Sequence, residues 1–171
     1  MKKGYVQIYT GDGKGKTTAA FGLAMRASGA GFKVFIGQFV KGRNYSELKT
    51  FPKLENIEIK QYGQESFIID KPSETDIRLA REGLKEIESK LVSGDYDIVI
   101  LDEGNIAIFF KLFTAEELIE VLEKRAPKTE VVITGRRATD QLIEYADLVT
   151  EMKEIKHYYT QGVEARTGIE K

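Results

Sequence analysis

The most informative stretch of this sequence is Thr10-Gly11-Asp12-Gly13-Lys14-Gly15-Lys16-Thr17-Thr18. It follows a predicted strand, Tyr5 to Tyr9, and precedes a predicted helix, Ala19 to Ser28. Its glycines permit positive φ angles that turn backbone N–H groups inward, and the helix N-terminus adds a dipole that favours anions. The stretch is therefore typical of a loop that binds a chain of phosphates.

The loop departs in one respect from the phosphate-loop motif G-x-x-x-x-G-K-[ST]. Thr10 occupies the first glycine position, and the first glycine comes one residue later, at Gly11. The Gly-Lys-Thr ending is retained, so Lys16 is the predicted partner of the terminal phosphates and the Thr17 hydroxyl is a predicted ligand of Mg²⁺. The alternative is a glycine-rich turn that binds no ligand.

Around this loop, short apolar runs alternate with helical stretches along the chain. This alternation is typical of a parallel sheet with helices on both faces, because its strands are buried and joined by helical crossovers. We therefore predict a three-layer α/β fold of the P-loop NTPase type, with a mainly parallel sheet of about six strands. The predicted strands are Tyr5 to Tyr9, Val34 to Phe39, Ile57 to Tyr62, Ile98 to Leu101, Val131 to Thr134 and Leu148 to Thr150.

Two further predicted helices carry clear N-terminal signals. Ser73 with Asp76, and Thr114 with Glu117, have the spacing of capping boxes. Behind each cap the apolar residues recur at helical spacing, namely Ile77, Ala80, Leu84, Ile87 and Leu91 in one helix and Leu118, Ile119 and Leu122 in the other. Two loops, Lys41 to Asn56 and Gly63 to Ser73, are expected at the carboxyl ends of strands, where open α/β sheets bind their substrates.

The bulk composition predicts a single domain over residues 1–171. Hydrophobic residues make up 42% and charged residues 31% of the chain, as in an ordinary globular protein. Cysteine is absent, which excludes disulfides and thiolate metal sites. The formal charge of −1 argues against nucleic acid as a partner. No apolar stretch is long enough for a signal peptide or a membrane span, so we expect a soluble, cytoplasmic protein.

Two carboxylates follow the predicted central strand. Asp102 and Glu103 come directly after Ile98 to Leu101, and a carboxylate in that position can hold Mg²⁺ directly or through water. Many P-loop ATPases use a carboxylate beside the metal-holding aspartate to activate water, and the sequence leaves the division of roles open. The alternative is an acidic turn without a function.

A pair of arginines follows another predicted strand. Arg136 and Arg137 come after Val131 to Thr134 and a glycine. An arginine at a strand end can neutralise the charge of a departing phosphate chain, whereas the alternative is a surface pair.

Blocks of sequence spread over nearly the whole chain resemble the P-loop type of cob(I)alamin (corrinoid) adenosyltransferases. They are Thr10 to Gly22, Gln38 to Gly42, Leu101 to Glu103, Ile133 to Arg136, Ala146 to Met152, and a tail with Lys156-His157 and Gly162 to Ile169. The phosphate loop by itself indicates only nucleotide binding. The strand-end and tail blocks make the resemblance specific.

The resemblance implies transfer of the 5′-deoxyadenosyl group of ATP to the cobalt of a reduced corrinoid, with release of triphosphate, in cobalamin biosynthesis or salvage. Cobalt(I) is itself a strong nucleophile, so the protein has to hold C5′ in line with cobalt and stabilise the departing triphosphate. ATP and the corrinoid are then the substrates, and Mg²⁺ is the cofactor. A homodimer and a flavoprotein reductant are the expected protein partners, with no membrane involved.

The resemblance also assigns residues to the site. The expected nucleotide-binding residues are Thr10, Gly11, Asp12, Gly13, Lys14, Gly15, Lys16, Thr17, Thr18 and Lys41. Lys16 and Arg136 are the expected catalytic residues. Thr17 and Glu103, with Asp102, are the expected magnesium ligands. His157, the only histidine, is expected to be structural or to line the site.

Departures from the family pattern fall mainly on the corrinoid side. Tyr62 to Phe67 only partly matches the family's glycine-phenylalanine-tryptophan stretch, and the chain has no tryptophan. Gly104 stands where an apolar residue is usual, and the first strand begins near Tyr5 where family members commonly have an N-terminal extension. Two other hypotheses therefore stay open: a P-loop ATPase or small-molecule kinase, which cleaves between phosphates, and a nucleotide-dependent binding module.

Overall fold

A parallel β-sheet carries the fold. The computed structural model describes residues 2–43 and 45–171. Within them the strands are β1 (Val6–Thr10), β2 (Val34–Phe39), β3 (Ile57–Tyr62), β4 (Ile98–Asp102), β5 (Glu130–Thr134) and β6 (Leu148–Glu151). Their order in the sheet is β3-β2-β4-β5-β1-β6, and each pair of neighbours is parallel. The α/β prediction is confirmed, and the strand bounds differ from the predicted ones by at most one residue.

The helices alternate with these strands along the chain. They are α1 (Lys16–Gly29), α2 (Glu74–Ser93), α3 (Gly104–Phe109), α4 (Ala115–Glu123) and α5 (Asp140–Tyr145). Short 3-10 helices occupy Ser46–Lys49, Phe51–Lys53 and Tyr158–Gln161. The first two lie within Lys41 to Asn56, the stretch predicted to be a loop, which therefore contains two short helical turns. Asn44 of that stretch lies outside the described residues.

The capping predictions are confirmed for α2 and α4. The Ser73 side chain accepts a hydrogen bond from the Asp76 N–H, the Thr114 side chain accepts one from the Glu117 N–H, and both reciprocal bonds are present. By contrast α1 begins at Lys16, three residues before its predicted start at Ala19. The end of the phosphate loop itself forms the first helical turn, because Gly15 takes a φ of 124° and redirects the chain into the helix.

Two apolar layers hold the helices against the sheet. On one face α1 contributes Ala20, Phe21 and Ala24, and on the other α2 and α4 contribute Leu84, Ile87, Leu91, Leu118 and Leu122. Strand β4 lies between β2 and β5 and is buried along its whole length, as its unbroken apolar pattern predicts. In the described part of the chain, no helix combines the length and apolar character needed to cross a membrane.

The carboxyl ends of the parallel strands meet at one edge of the sheet. Four strands are followed there by residues with positive φ: Gly11 (91°) after β1, Val40 (51°) after β2, Glu103 (59°) after β4, and Gly135 (129°) after β5. Such angles are strained for a non-glycine residue, above all for the β-branched Val40. They turn the chain sharply at the strand end, and this edge is where the predicted functional residues gather.

Candidate active site

A cavity of about 1120 Å³ opens at this edge of the sheet. One wall is the phosphate loop with the start of α1, and another is formed by the residues that follow β2. The cavity is larger than the roughly 300–1,000 Å³ of ordinary small-molecule sites. It therefore has room for more than the phosphate chain of a nucleotide.

The start of α1 faces this cavity with its amides uncapped. Gly15 is the N-cap residue, and no side chain caps the helix. The N–H groups of Lys16, Thr17 and Thr18 have no acceptor within the helix, because the first turn of any helix lacks one. Residues 13–18 all line the cavity. These amides and the positive end of the helix dipole favour the binding of an anion there.

The Lys16 ammonium lies inside the phosphate loop. It is 8% exposed, and its Nζ donates hydrogen bonds of 2.6 Å to the carbonyls of Gly11 and Gly13. Burial, followed by the nearby positive charge of Arg136, lowers the pKa of Lys16. The loop carbonyls thus hold a cation within the phosphate loop, where it would stabilise the negative charge of a phosphate.

Asp102, at the end of β4, is fully buried and accepts four side-chain hydrogen bonds. Its Oδ1 accepts from the hydroxyls of Thr17 and Thr134, both at 2.7 Å. Its Oδ2 accepts from Lys41 Nζ at 2.7 Å and from Gln38 Nε2 at 3.1 Å. Asp102 therefore ties the first turn of α1 to the ends of β2 and β5.

Lys41 and Asp102 form an ion pair that is nearly closed to solvent, with the lysine side chain 15% exposed and the aspartate 0%. Burial alone would lower the pKa of Lys41, but the charges of Asp102 and Glu103 raise it overall. Burial alone would likewise raise the pKa of Asp102, but Lys41 and the hydroxyl donors lower it. Both groups are therefore charged at neutral pH.

The Glu103 carboxylate lines the cavity and has no ion-pair partner among the described residues. It is the N-cap residue of α3, and its backbone N–H donates to the Thr134 hydroxyl at 3.0 Å. Burial, followed by the charge of Asp102, raises the pKa of Glu103. A cation bound beside it would relieve that cost.

Arg136 and Arg137 separate at the end of β5. Arg136 lines the cavity, and its Nε lies 3.9 Å from Asp12 Oδ1 across the mouth of the loop. Arg137 instead stacks on the Phe109 ring, 4.1 Å from its centroid. Of the two predicted candidates, the structure directs Arg136 toward the phosphate loop.

The structure brings most of the predicted site residues to one cavity. Its lining includes Gly13, Lys14, Gly15, Lys16, Thr17, Thr18, Lys41, Glu103, Arg136 and His157. Three predicted nucleotide contacts, Thr10, Gly11 and Asp12, lie outside the lining, and the Thr10 hydroxyl accepts a hydrogen bond from the Ala138 N–H at 3.3 Å. Asp102 also lies outside the lining and reaches the cavity through Thr17 and Lys41.

Sequence reasoning assigned no role to several residues of the site. Gln38 and Thr134 are completely buried polar residues whose side chains donate hydrogen bonds to Asp102. The sequence signal that could have identified them is a polar side chain near the end of an apolar strand. An aromatic wall also went unpredicted, in which the Phe21 and Phe51 rings meet edge to face at 5.1 Å. No sequence pattern pairs these two rings, because they come from different elements.

The donor atoms at the edge suit a hard cation. Across residues 2–43 and 45–171, no three histidine, cysteine, aspartate or glutamate side chains are grouped to hold a metal. The Thr17 hydroxyl and the Glu103 carboxylate are oxygen donors, as Mg²⁺ prefers, and Mg²⁺ commonly takes its other ligands from phosphates and water. This donor set fits magnesium brought in with a nucleotide.

Comparison with known proteins gives one consistent family. Residues 2–170 match the family described as ATP:corrinoid adenosyltransferase BtuR/CobO/CobP. The chain is 35% identical to the corrinoid adenosyltransferase of Escherichia coli K12, with 99% of this chain and 86% of that protein covered. It is 33% identical to the corrinoid adenosyltransferase of Pseudomonas aeruginosa, covering 99% and 84%. Identity to the corrinoid adenosyltransferase CobA of Salmonella typhimurium is 32%, covering 99% and 86%.

Proposed function

The chain belongs to the ATP:corrinoid adenosyltransferase family, and from that membership we propose how its own residues carry out the reaction in the cavity described above. The enzyme is a transferase whose substrates are ATP and a corrinoid. The proposal adds that the 5′-deoxyadenosyl group moves to cobalt(I) and that triphosphate leaves intact. ATP hydrolysis, phosphoryl transfer and simple nucleotide binding find no support in the comparisons.

One observation carries the proposal: the uncapped start of α1 and the buried Lys16 ammonium face the same cavity as Glu103. The amides of the first turn and Lys16 would receive the triphosphate, because both favour an anion and neither has a side-chain anion as a partner among the described residues. Arg136, at the rim, adds a second positive charge. Charge that develops on the leaving group is thus stabilised by groups already in place.

The proposed step needs no nucleophile from the protein. The electron pair of cobalt(I) attacks C5′ of ATP, a cobalt–carbon bond forms, and the bond between C5′ and the triphosphate oxygen breaks. The electron pair of that bond leaves on triphosphate, and cobalt is formally oxidised from +1 to +3. The protein supplies alignment and charge stabilisation, because the nucleophile comes with the substrate.

We assign magnesium to the Thr17 hydroxyl and the Glu103 carboxylate, two oxygen donors that line the cavity. When bound, the ion would supply positive charge that offsets the negative charge of the triphosphate. Asp102 would hold the Thr17 hydroxyl in position, or take part through a water molecule. Lys41 would keep Asp102 ionised and limit the net negative charge at this edge.

A homodimer and a flavoprotein reductant remain parts of the proposal that come from family resemblance. The edge strand β6 supports the dimer, because all four of its residues are exposed and Leu148 and Val149 are 44% and 39% exposed. Parallel strands are usually covered on both faces. Light scattering that gives the mass of one chain at working concentration would contradict the dimer.

Product analysis tests the proposed function. The protein is incubated without oxygen with Mg·ATP and a corrinoid reduced chemically to cobalt(I), and the corrinoid is examined by mass spectrometry. We expect a mass increase equal to one 5′-deoxyadenosyl group, and none when ATP is omitted. An unmodified corrinoid beside newly formed ADP or orthophosphate would contradict the proposal and favour a P-loop ATPase or kinase.

A further inference from the structure

Residues 166–171 lie across the mouth of the cavity, and we call them the strap. Gly168, Ile169, Glu170 and Lys171 line the cavity beside Lys14 of the phosphate loop. The strap is therefore a third wall, separate from α1 and from the residues that follow β2.

Two hydrogen bonds fasten the strap to two other walls. Lys14 Nζ donates to the Ile169 carbonyl at 3.0 Å. The Ser46 hydroxyl, in the first 3-10 helix after β2, donates to the Lys171 carbonyl at 3.0 Å. The strap thus bridges the phosphate loop and the far side of the cavity.

Glu170 stabilises the conformation of the strap through hydrogen bonds and ion pairs. Its carboxylate accepts hydrogen bonds from the Tyr158 hydroxyl, from the Arg166 N–H at 2.9 Å, and from the Arg166 guanidinium at 3.2 and 3.3 Å. It also lies 3.9 Å from Lys14 Nζ. The hydrogen bonds from Arg166 and then Tyr158 lower the pKa of Glu170 to about 2. Glu170 is therefore a carboxylate throughout the neutral range, and the cations around it balance its charge near a polyanion.

Little apolar packing holds the strap in place. Ile169 is 55% exposed and the Arg166 side chain is 51% exposed. A segment fastened by a few solvent-exposed polar contacts opens easily, because each contact contributes little free energy. The strap can therefore open to admit a ligand and close again over it.

We infer that Arg166 and Glu170 are positioning residues for the nucleotide: they hold the strap across the cavity, so that the strap and Lys14 retain the triphosphate chain during the reaction. The inference rests on the proposed function because it takes the same cavity as the ATP site. A closed strap slows nucleotide dissociation and keeps water from the reacting atoms.

Binding of Mg·ATP to Arg166→Ala and Glu170→Ala, without a corrinoid, tests this inference. Loss of one exposed charged contact changes an equilibrium by about fivefold. We expect the Kd of each variant to rise by about that factor, through faster dissociation with an unchanged association rate. Glu164→Ala is the matched control, since Glu164 is an exposed acid nearby for which the described residues offer no hydrogen bond or ion pair. Arg166→Lys keeps the charge and is expected to recover part of the affinity.

Hydrogen exchange gives a second readout. Mg·ATP should slow exchange of the strap amides in the wild type and leave exchange unchanged in Glu170→Ala. A wild-type Kd in both alanine variants, or equal strap exchange with and without Mg·ATP in the wild type, would overturn the inference. Neither measurement uses adenosyl transfer, so a wild type that binds Mg·ATP without modifying a corrinoid would refute only the proposed function. A wild type that does not bind Mg·ATP would refute both.

Discussion

The Thr17 hydroxyl donates a 2.7 Å hydrogen bond to Asp102, a residue 85 positions further along the chain. The bond joins the first turn of α1, which faces the cavity, to the buried end of β4. Both Asp102 oxygens are already hydrogen-bonded by protein groups. We therefore expect Asp102 to act chiefly by holding Thr17 and Lys41 in place.

Removing the charge of Asp102 should destabilise the protein through Lys41. Asp102→Asn leaves a mostly buried ammonium without its counter-charge, and breaking a buried ion pair costs about 3 kcal/mol. Urea unfolding measures this change in the free energy of unfolding. The double variant Asp102→Asn/Lys41→Met should recover much of the loss. A single variant as stable as the wild type would contradict the buried pair.

The Thr17 hydroxyl itself can be tested with two substitutions of similar size. Thr17→Val removes the hydroxyl and should lower kcat/KM for ATP about 100-fold, because a charge-stabilising contact at the phosphates is lost. Thr17→Ser keeps the hydroxyl and should retain most of the activity. Steady-state kinetics at several magnesium concentrations provide the comparison. A loss of activity in Thr17→Ser with none in Thr17→Val would show that the methyl group, rather than the hydroxyl, matters.

The Lys16 ammonium should contribute more to the rate than any surface lysine. Lys16→Ala removes a charge from the departing triphosphate, which is worth roughly 2 to 4 kcal/mol or about 30- to 1000-fold in rate. Lys49→Ala is the control, since Lys49 is exposed and lies outside the cavity lining. Single-turnover rates separate the chemical step from ATP binding. Normal turnover by Lys16→Ala would mean that the phosphate loop has been misassigned.

The ionised Glu103 side chain should lower the stability of the folded protein and raise its activity. Burial and the charge of Asp102 raise its pKa on folding, so the folded protein favours the protonated form. The stability that protonation adds is present at low pH and is lost as pH rises through the raised pKa, so at neutral pH the ionised side chain is destabilising. Glu103→Gln should therefore raise the unfolding temperature at neutral pH and lower activity at least about tenfold. A lower unfolding temperature would contradict this assignment.

The phosphate loop has no space for a side chain at Gly13. A Cβ there would lie 2.7 Å from the Met152 carbonyl oxygen and 2.9 Å from the Lys153 carbonyl carbon, both of them backbone atoms. Gly13→Ala should therefore displace either the loop or the segment after β6, and weaken Mg·ATP binding. Gly29→Ala, at the end of α1 with no atom within 4 Å of its Cβ, should leave binding unchanged. Calorimetric titration of each variant with Mg·ATP measures whether binding is weakened.

Much of the fold follows from local patterns in the sequence. Strand positions, the capping boxes at Ser73 and Thr114, and the buried β4 are each set by neighbouring residues, and the structure agrees. Local patterns do not set the start of α1, because the Lys-Thr-Thr run belongs both to the loop and to the first helical turn. The sequence also does not reveal that β6 is exposed, since the apolar residues of this strand resemble those of a covered strand.

The sequence predicts individual residues of the site but not the hydrogen bonds that connect them. The sequence identified Lys16, Thr17, Asp102 and Arg136 as candidates, but the four hydrogen bonds on Asp102 join four separate elements, and no local pattern encodes them. The strap could not be predicted for the same reason, because the hydrogen bond between Lys14 and Ile169 spans 155 residues. Their roles in catalysis and metal binding remain predictions.

The most direct test of the account follows the oxygen between C5′ and the phosphate chain of ATP. ATP carrying ¹⁸O at that position is incubated with the protein, Mg²⁺ and a corrinoid reduced to cobalt(I), and the phosphate products are analysed by mass spectrometry. Adenosyl transfer breaks the bond between carbon and oxygen, so we expect the label in intact triphosphate. Label retained in AMP or ADP would show cleavage between phosphorus and oxygen and would contradict the account.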